Sequence, residues 1–370
     1  MRIIIAPDKF KGSLTSFEAC KAISDGIKRA NEKTEVIEFP MADGGDGFAA
    51  VLQHYLKTDK IICNTVDPLG RDITASYQWD GENKIAIIEM AVASGLTLLK
   101  EQERNPLLTS TFGTGLLIEY AIEKGAKQII LGLGGSATND GGTGILAALG
   151  FELVNESGDF LEPSGENLLH IRRIIPPSFI PAVKFEIACD VQNVLYGLQG
   201  AAYVYAPQKG ANKEQVEFLD KGLKNLADII KVQTGKDISY EPGAGAAGGI
   251  AAGLLSFFDV NMKKGIELIM EAGEIEKEIS GADLVITGEG KIDDQSSEGK
   301  VVGYIASLAK KYGIPCIGFC GITELNESGI KKLGLKKIIA LQEGSVTSKE
   351  AMTNAAVLLE QKATEILKFL

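Results

Sequence analysis

The sequence predicts an α/β protein: a Rossmann-like parallel-sheet domain with a second, mixed α/β domain inserted into it. Three observations lead there. Near both ends of the chain, short apolar runs alternate with amphipathic helical stretches, the βα style of a parallel sheet. Between them the style changes to strands joined by tight turns. The chain has 370 residues, enough for about two domains of roughly 150 residues each. The expected discontinuous domain covers 1–60 and 281–370, and the inserted domain covers 61–280.

The first element is the apolar strand at 2–6 in RIIIAP. Thr15 and Glu18 have the spacing of a capping box. Phe17, Cys20, Ile23 and Ile27 follow at helical intervals. A second strand, VIEFPMA, ends at Ala42, and DGGDG leads into the helix FAAVLQHYL. After Lys60 come IICNTV, RDITASYQW and KIAIIEMA, joined by DPLG and DGEN, an antiparallel meander. A helix is expected over 110–124, a strand over 128–132, a long helix near 213–231 and a small-residue helix near 246–257. From Ala282 the βα style returns. DLVITGEG is a strand, 298–312 a helix, PCIGFCG and KKIIAL strands, and Thr347 with Glu350 opens a terminal helix.

The strand at 128–132 runs into GLGGSATNDGGTG, where six of thirteen residues are glycine. Glycine lets backbone N–H groups approach an anion closely. Ser136 and Thr138 add hydroxyls, and a short helix follows with its positive end towards the loop. This reads as a phosphate cradle; a sharp structural turn is the plain alternative. Gly132, Gly134 and Ala137 also fit a dinucleotide GxGxxA, with Glu156 near the place of a ribose-binding acid. Against it, TNDGGTG intervenes before the helix, whereas that fingerprint opens its helix within the motif. GAGAAG at 243–248 is a formal GxGxxG, but Pro242 and its poor upstream strand favour close helix packing. No Walker A motif is present.

Other polar residues gather where strands are expected to end, the usual place for ligands in a parallel sheet. PDKFKGS offers Asp8, Lys9, Lys11 and Ser13. ADGGDG offers Asp43 and Asp46. TGEGKIDDQ offers Glu289, Lys291, Asp293 and Gln295, and FEIACD ends at Asp190. Four such ends suggest a crevice between two domains. The mix suits phosphoryl transfer, which needs cations or backbone amides on the phosphate, a carboxylate-held magnesium ion and an oriented nucleophile. Arg71 in DPLGR joins the cationic candidates, or serves as a turn arginine.

Composition excludes other classes. A net charge of −11 disfavours nucleic acid and anionic membranes as partners. Five cysteines and two histidines, without a CxxC, argue against a zinc site or a disulfide framework. No apolar run reaches the roughly 18 residues of a membrane helix. MRIIIAP opens directly as a strand, so no secretory leader is expected and the protein reads as cytoplasmic.

Together, APDKFKGSLTS, MADGGDG, DPLGR, GLGGSATNDGG, CDV, APQKGA, PGAGAAGG and ITGEGKIDDQ resemble the type-1 glycerate kinases, in order and over nearly the whole chain. The resemblance implies ATP and Mg2+ as cofactors and D-glycerate as the small-molecule substrate, phosphorylated in many members at the 2-hydroxyl. The product would be 2-phosphoglycerate or 3-phosphoglycerate. It also implies a Rossmann-like domain carrying a second α/β domain. Val194 and Val302 stand where the family often has proline, and these departures leave the polar residues intact.

Individual roles rest on the residues. The cofactor-binding candidates are Gly134, Gly135, Ser136, Ala137, Thr138 and Asp140, against the ATP phosphates. Glu289 and Asp293 are the metal candidates, directly or through water. Lys9, Lys11, Ser13 and Arg71 are candidates for the glycerate carboxylate or the transferred phosphoryl group. Asp43 or Asp190 would orient the attacking hydroxyl; for Asp43 the alternative is a helix cap. A different class, an NAD-dependent oxidoreductase acting on a small hydroxy acid, would show itself by NADH absorbance.

Overall fold

The computed structural model describes residues 1–44, 47–297, 300–344 and 346–366, without the side chains of 295 and 297. The chain divides into two compact units. One comprises Met1–Asp43, Ala50–Leu56 and Gly265–Leu370, the other Gly44–Ala49 and Lys57–Lys264. The first unit extends back to Gly265, so helices Gly265–Ala272 and Ile275–Ser280 lie in it rather than in the inserted region to which the sequence reading gave them.

The first unit holds five parallel strands in the order Lys337–Ala340, Cys316–Thr323, Leu284–Ile292, Arg2–Pro7, Glu35–Glu38. Ile3, Ile4, Ile5 and Ala6 are fully buried, as a parallel strand covered on both faces requires. The helix Ser16–Ala30 opens with the expected capping box, Thr15 accepting from the Glu18 amide, a device worth about 1 kcal/mol. Its Cys20, Ile23 and Ile27 join the core with Leu359 and Ala363 of the helix Ala355–Thr364. From Arg2–Pro7 the chain moves outward to Glu35–Glu38. From Leu284–Ile292 it moves outward the other way. The strand order therefore reverses between these two neighbours, and ligands bind beyond the carboxyl ends of strands at such a switch point.

The second unit holds a six-stranded sheet, ordered Asp259–Lys263, Lys184–Ala188, Gln128–Gly132, Ile85–Glu89, Asp72–Asp80, Asp59–Val66. The last two pair antiparallel, completing the meander, and the first four run parallel. Glu89, Gly132, Ala188 and Lys263 are in register, so the glycine loop and the segment bearing Asp190 leave the same edge of this sheet. Among the described residues no helix is long and apolar enough to cross a membrane.

Candidate functional site

In the first unit the strand Arg2–Pro7 runs out into Asp8, whose amide donates to the Gly288 carbonyl at 2.8 Å. That bond puts Asp8, just past the end of its own strand, beside Gly288 and next to Glu289 in the strand Leu284–Ile292. The turn beyond is closed by paired backbone bonds between Phe10 and Leu14 at 2.8 and 2.9 Å. It lies so close to the strand that a Cβ on Gly290 would meet the Lys11 nitrogen at 3.1 Å. After Glu35–Glu38 the chain stays beside the first strand, Met41 donating to the Pro7 carbonyl, and so delivers Asp43 to the same end.

The electrostatics record this convergence. Burial pushes Asp8 up to about 7, Asp43 and Glu289 push the same way, and the Lys9 amide and ammonium oppose them. Burial also raises Glu289, opposed by the Ser296 hydroxyl and Lys300, with Asp293 and Asp43 adding to the rise. The Ser296 Oγ donates to Glu289 at 2.6 Å and accepts the Asp293 amide at 3.1 Å, tying the two proposed metal ligands together. Lys291 pairs with Asp293 at 3.5 Å and Glu324 at 3.1 Å. Among the described residues no group of three or more His, Cys, Asp or Glu is arranged to hold a metal ion by itself. Magnesium, however, usually takes one or two carboxylates together with waters and substrate phosphates. Hard carboxylate oxygens crowded at a raised pKa are a donor set that fits it.

The structure thus brings together Lys9, Lys11, Asp43, Glu289 and Asp293 at one end of one sheet, and it adds Asp8 and Ser296. Sequence reasoning named Asp8 among the strand-end residues without giving it a role. It missed Ser296, which looks like any loop serine. Asp46 lies outside the described residues, as does the Gln295 side chain. The Ser13 hydroxyl donates to the Met352 carbonyl at 2.5 Å, fastening the turn to the helix Ser348–Thr353.

In the second unit the glycine loop has two halves. Asp140 is fully buried. Its carboxylate accepts from the Thr111 amide and hydroxyl at 2.8 and 2.7 Å and from the Gly142 and Gly144 amides at 3.2 and 3.1 Å. Burial raises its pKa, and those donors oppose the rise. The start of the helix Thr143–Ala148 is therefore satisfied from within. The glycines there serve packing: a Cβ would lie 2.3 Å from Leu226 at Gly141 and 2.4 Å from the Phe112 nitrogen at Gly144. Ala137 is also closed off, its amide donating to Ser94 at 2.9 Å, and the Thr138 side chain is buried without a partner. Ala137, Thr138 and Asp140 are thus buried within the loop's own packing. Only Gly134, Gly135 and Ser136 reach solvent. Gly135 has φ +73, and the nearest atom to an added Cβ is Ala91 Cβ at 3.3 Å.

Further placements bear on the sequence reading. The Arg71 guanidinium spans Asp67 at 2.5 Å and Glu103 at 2.8 Å, the pairs that a turn arginine makes. Asp190 is exposed after the strand Lys184–Ala188. The dinucleotide fingerprint lacks its geometry, because the helix opens only at Thr143. GAGAAG packs on the first glycine loop, with Gly248 accepting the Gly141 amide at 3.0 Å. Lys209 and Thr111, both buried against the loop, were missed; nothing in a sequence marks a lysine as buried.

Comparison with known proteins agrees with this architecture. The glycerate kinase family profile matches residues 3–370. A glycerate kinase of Halalkalibacterium halodurans is 42% identical over 368 residues, 98% of this chain and 97% of that one. A glycerate 2-kinase of Escherichia coli is 39% identical over 358 residues, 96% of this chain and 94% of that one. A crystal structure of a Salmonella typhimurium LT2 protein, provisionally named glycerate kinase 2, superposes with a TM-score of 0.89 at 36% identity. It covers 100% of this chain and 98% of its own. With the likeness extending from end to end, the chain belongs to the glycerate kinase family.

Proposed function

We propose that this protein transfers the γ-phosphoryl group of ATP to the 2-hydroxyl of D-glycerate, giving 2-phosphoglycerate and ADP. The observation that carries the reading is the convergence of Asp8, Asp43 and Glu289 at the switch point of the parallel sheet, where Asp43 and Glu289 raise the pKa of Asp8 and Asp43 raises that of Glu289. A cluster of desolvated carboxylates suits a divalent cation and an aligned hydroxyl, the two needs of phosphoryl transfer.

The roles follow from position. Glu289, held by Ser296, and Asp293 would hold Mg2+, directly or through water. The ion supplies charge neutralisation on the phosphate oxygens. Asp43 accepts the hydrogen bond of the attacking hydroxyl and so aligns it; Asp190 is the alternative. Lys9 and Lys11 attract the glycerate carboxylate or the transferred phosphoryl group. In the second unit, the exposed backbone at Gly134 and Gly135 and the Ser136 hydroxyl bind ATP phosphates. The remaining partners are small molecules. The charge of −11 disfavours nucleic acid, and five free cysteines fit the reducing cytoplasm.

A coupled ADP-release assay with D-glycerate tests the reaction, and 31P NMR of the product tests the position. Glycerate-dependent ADP release with a 2-phosphate product is expected. ADP release no faster than without glycerate would overturn the reading, and a 3-phosphate product would overturn the regiochemistry.

A further inference from the structure

Lys209 ends the short helical turn Pro207–Lys209 and is almost wholly buried, at 2% exposure. Its Nζ donates to Ser136 Oγ at 2.6 Å and to the Thr138 carbonyl at 2.7 Å. The next residue holds the backbone in place. Gly210 has φ +98, and the Arg104 carbonyl lies 2.2 Å from where a Cβ would sit. An ammonium has three donors and no acceptor. In this contact, then, Ser136 Oγ must be the acceptor, and its own hydrogen points elsewhere. Among the described residues that hydrogen has no acceptor, and Ser136 sits where the buried half of the loop meets the exposed Gly134 and Gly135. Fastening a turn does not require a charge, since a neutral donor would do it without the desolvation cost of an ammonium. A charge adds polarisation of the hydroxyl it contacts.

We propose that Lys209 is a positioning residue for nucleotide phosphate: by donating to Ser136 Oγ it turns the Ser136 hydroxyl outward as a polarised donor to an anion at Gly134–Ser136. The inference rests on the reading that this end of the loop meets ATP. It explains why a lysine is buried behind a loop that has no acidic ligand-facing side chain. Burial pushes the Lys209 pKa down to about 7, and Asp140 on the loop opposes the fall. Arg104 belongs to the segment packed against Gly210. Once neutral, the amine carries a lone pair. The Ser136 hydroxyl can then turn inward and donate to it, and the outward donor is lost.

The test is equilibrium binding of MgATP, which does not depend on turnover. Ser136→Ala and Lys209→Met should each weaken ATP binding about tenfold, and the double variant no further, because both remove one donor. The KM for ATP should rise in parallel in both. Effects that multiply in the double variant would overturn the proposal, as would unchanged ATP affinity in Lys209→Met. Should Lys209→Met lose its cooperative unfolding, the pH dependence of wild type against Ser136→Ala decides. Affinity of the wild type should fall from pH 6 to 9 relative to Ser136→Ala, in which no hydroxyl is left to turn. Parallel profiles would overturn the proposal. Ionisation of ATP itself is common to both proteins and cancels. If wild type binds ATP through Ser136 but shows no glycerate-dependent ADP release, the glycerate reading fails and the role of Lys209 stands.

Discussion

Beyond the strand Arg2–Pro7, carboxylates crowd together, and burial leaves Asp8 with a pKa near 7. Beyond the strand Gln128–Gly132, one carboxylate, Asp140, is equally removed from water but surrounded by four donors from its own chain. Both segments are turns of glycine and acid after a buried parallel strand. The first leaves the Asp8 and Glu289 carboxyls at raised pKa and so is poised to take a cation or share a proton. The second satisfies Asp140 from within, and only Gly134, Gly135 and Ser136 remain exposed for a ligand. Glycine content alone does not distinguish a cradle from a packing joint. What distinguishes them is where the backbone amides already go.

If the first region performs the chemistry, Asp43→Asn gives the largest effect. The kcat should fall about 10²-fold or more, with the KM for ATP within about twofold. Asparagine still caps a helix, so a capping role would leave kcat near normal. Near-normal kcat would shift the hydroxyl-orienting role to Asp190, in the second unit.

If the second region is self-anchored, Asp140→Asn should act on stability. It places an NH2 group among four donors and removes the charge facing Lys209. The expected cost is about 3–5 kcal/mol, as for breaking a buried charged network, read by urea unfolding. A cost below about 1 kcal/mol would mean that the loop does not depend on this carboxylate.

The first region should betray its crowding through pH. The folded pKa of Asp8 is raised above its unfolded value of 3.8 to about 7. Between those values the unfolded chain has lost the proton while the native state keeps it. Stability therefore falls as pH rises through that window, and the whole cost is present above it. In EDTA, wild type should lose about 3 kcal/mol relative to Asp8→Asn between pH 4.5 and 8. Equal slopes for the two proteins would mean that the carboxyl is not desolvated.

Much of this was legible in the sequence, and for identifiable reasons. Local rules reached the Thr15–Glu18 capping box and the meander, because each rests on spacing, whereas Glu289, expected where its strand ends, lies within the strand Leu284–Ile292. Three-dimensional contact decided the rest. Helices Gly265–Ala272 and Ile275–Ser280 belong with the first unit through packing that no composition change announces. The partners of Ser13 and Arg71, Met352 and Glu103, arrive from far along the chain. Asp140 reads as a ligand-facing acid because Thr111, its main partner, lies 29 residues away.

The smallest expected effect sharpens the comparison most. Gly135 and Gly158 both sit in the second unit with positive φ, +73 and +90. Alanine at either residue forces a side chain into the left-handed region at about 1 kcal/mol. Their surroundings differ. Nothing lies within 4 Å of a Cβ on Gly158, whereas one on Gly135 meets Ala91 Cβ at 3.3 Å on the exposed end of the loop. Gly135 also accepts the Leu96 amide at 2.8 Å through its carbonyl, so the strain falls on a peptide held on one side and open on the other. The two alanine variants should therefore lose similar stability, while only Gly135→Ala raises the KM for ATP, by about threefold to tenfold. The matched loss at Gly158 removes general destabilisation as an explanation. Equal ATP KM values in both variants would take the phosphates away from Gly134–Ser136 and leave the second region a purely structural joint.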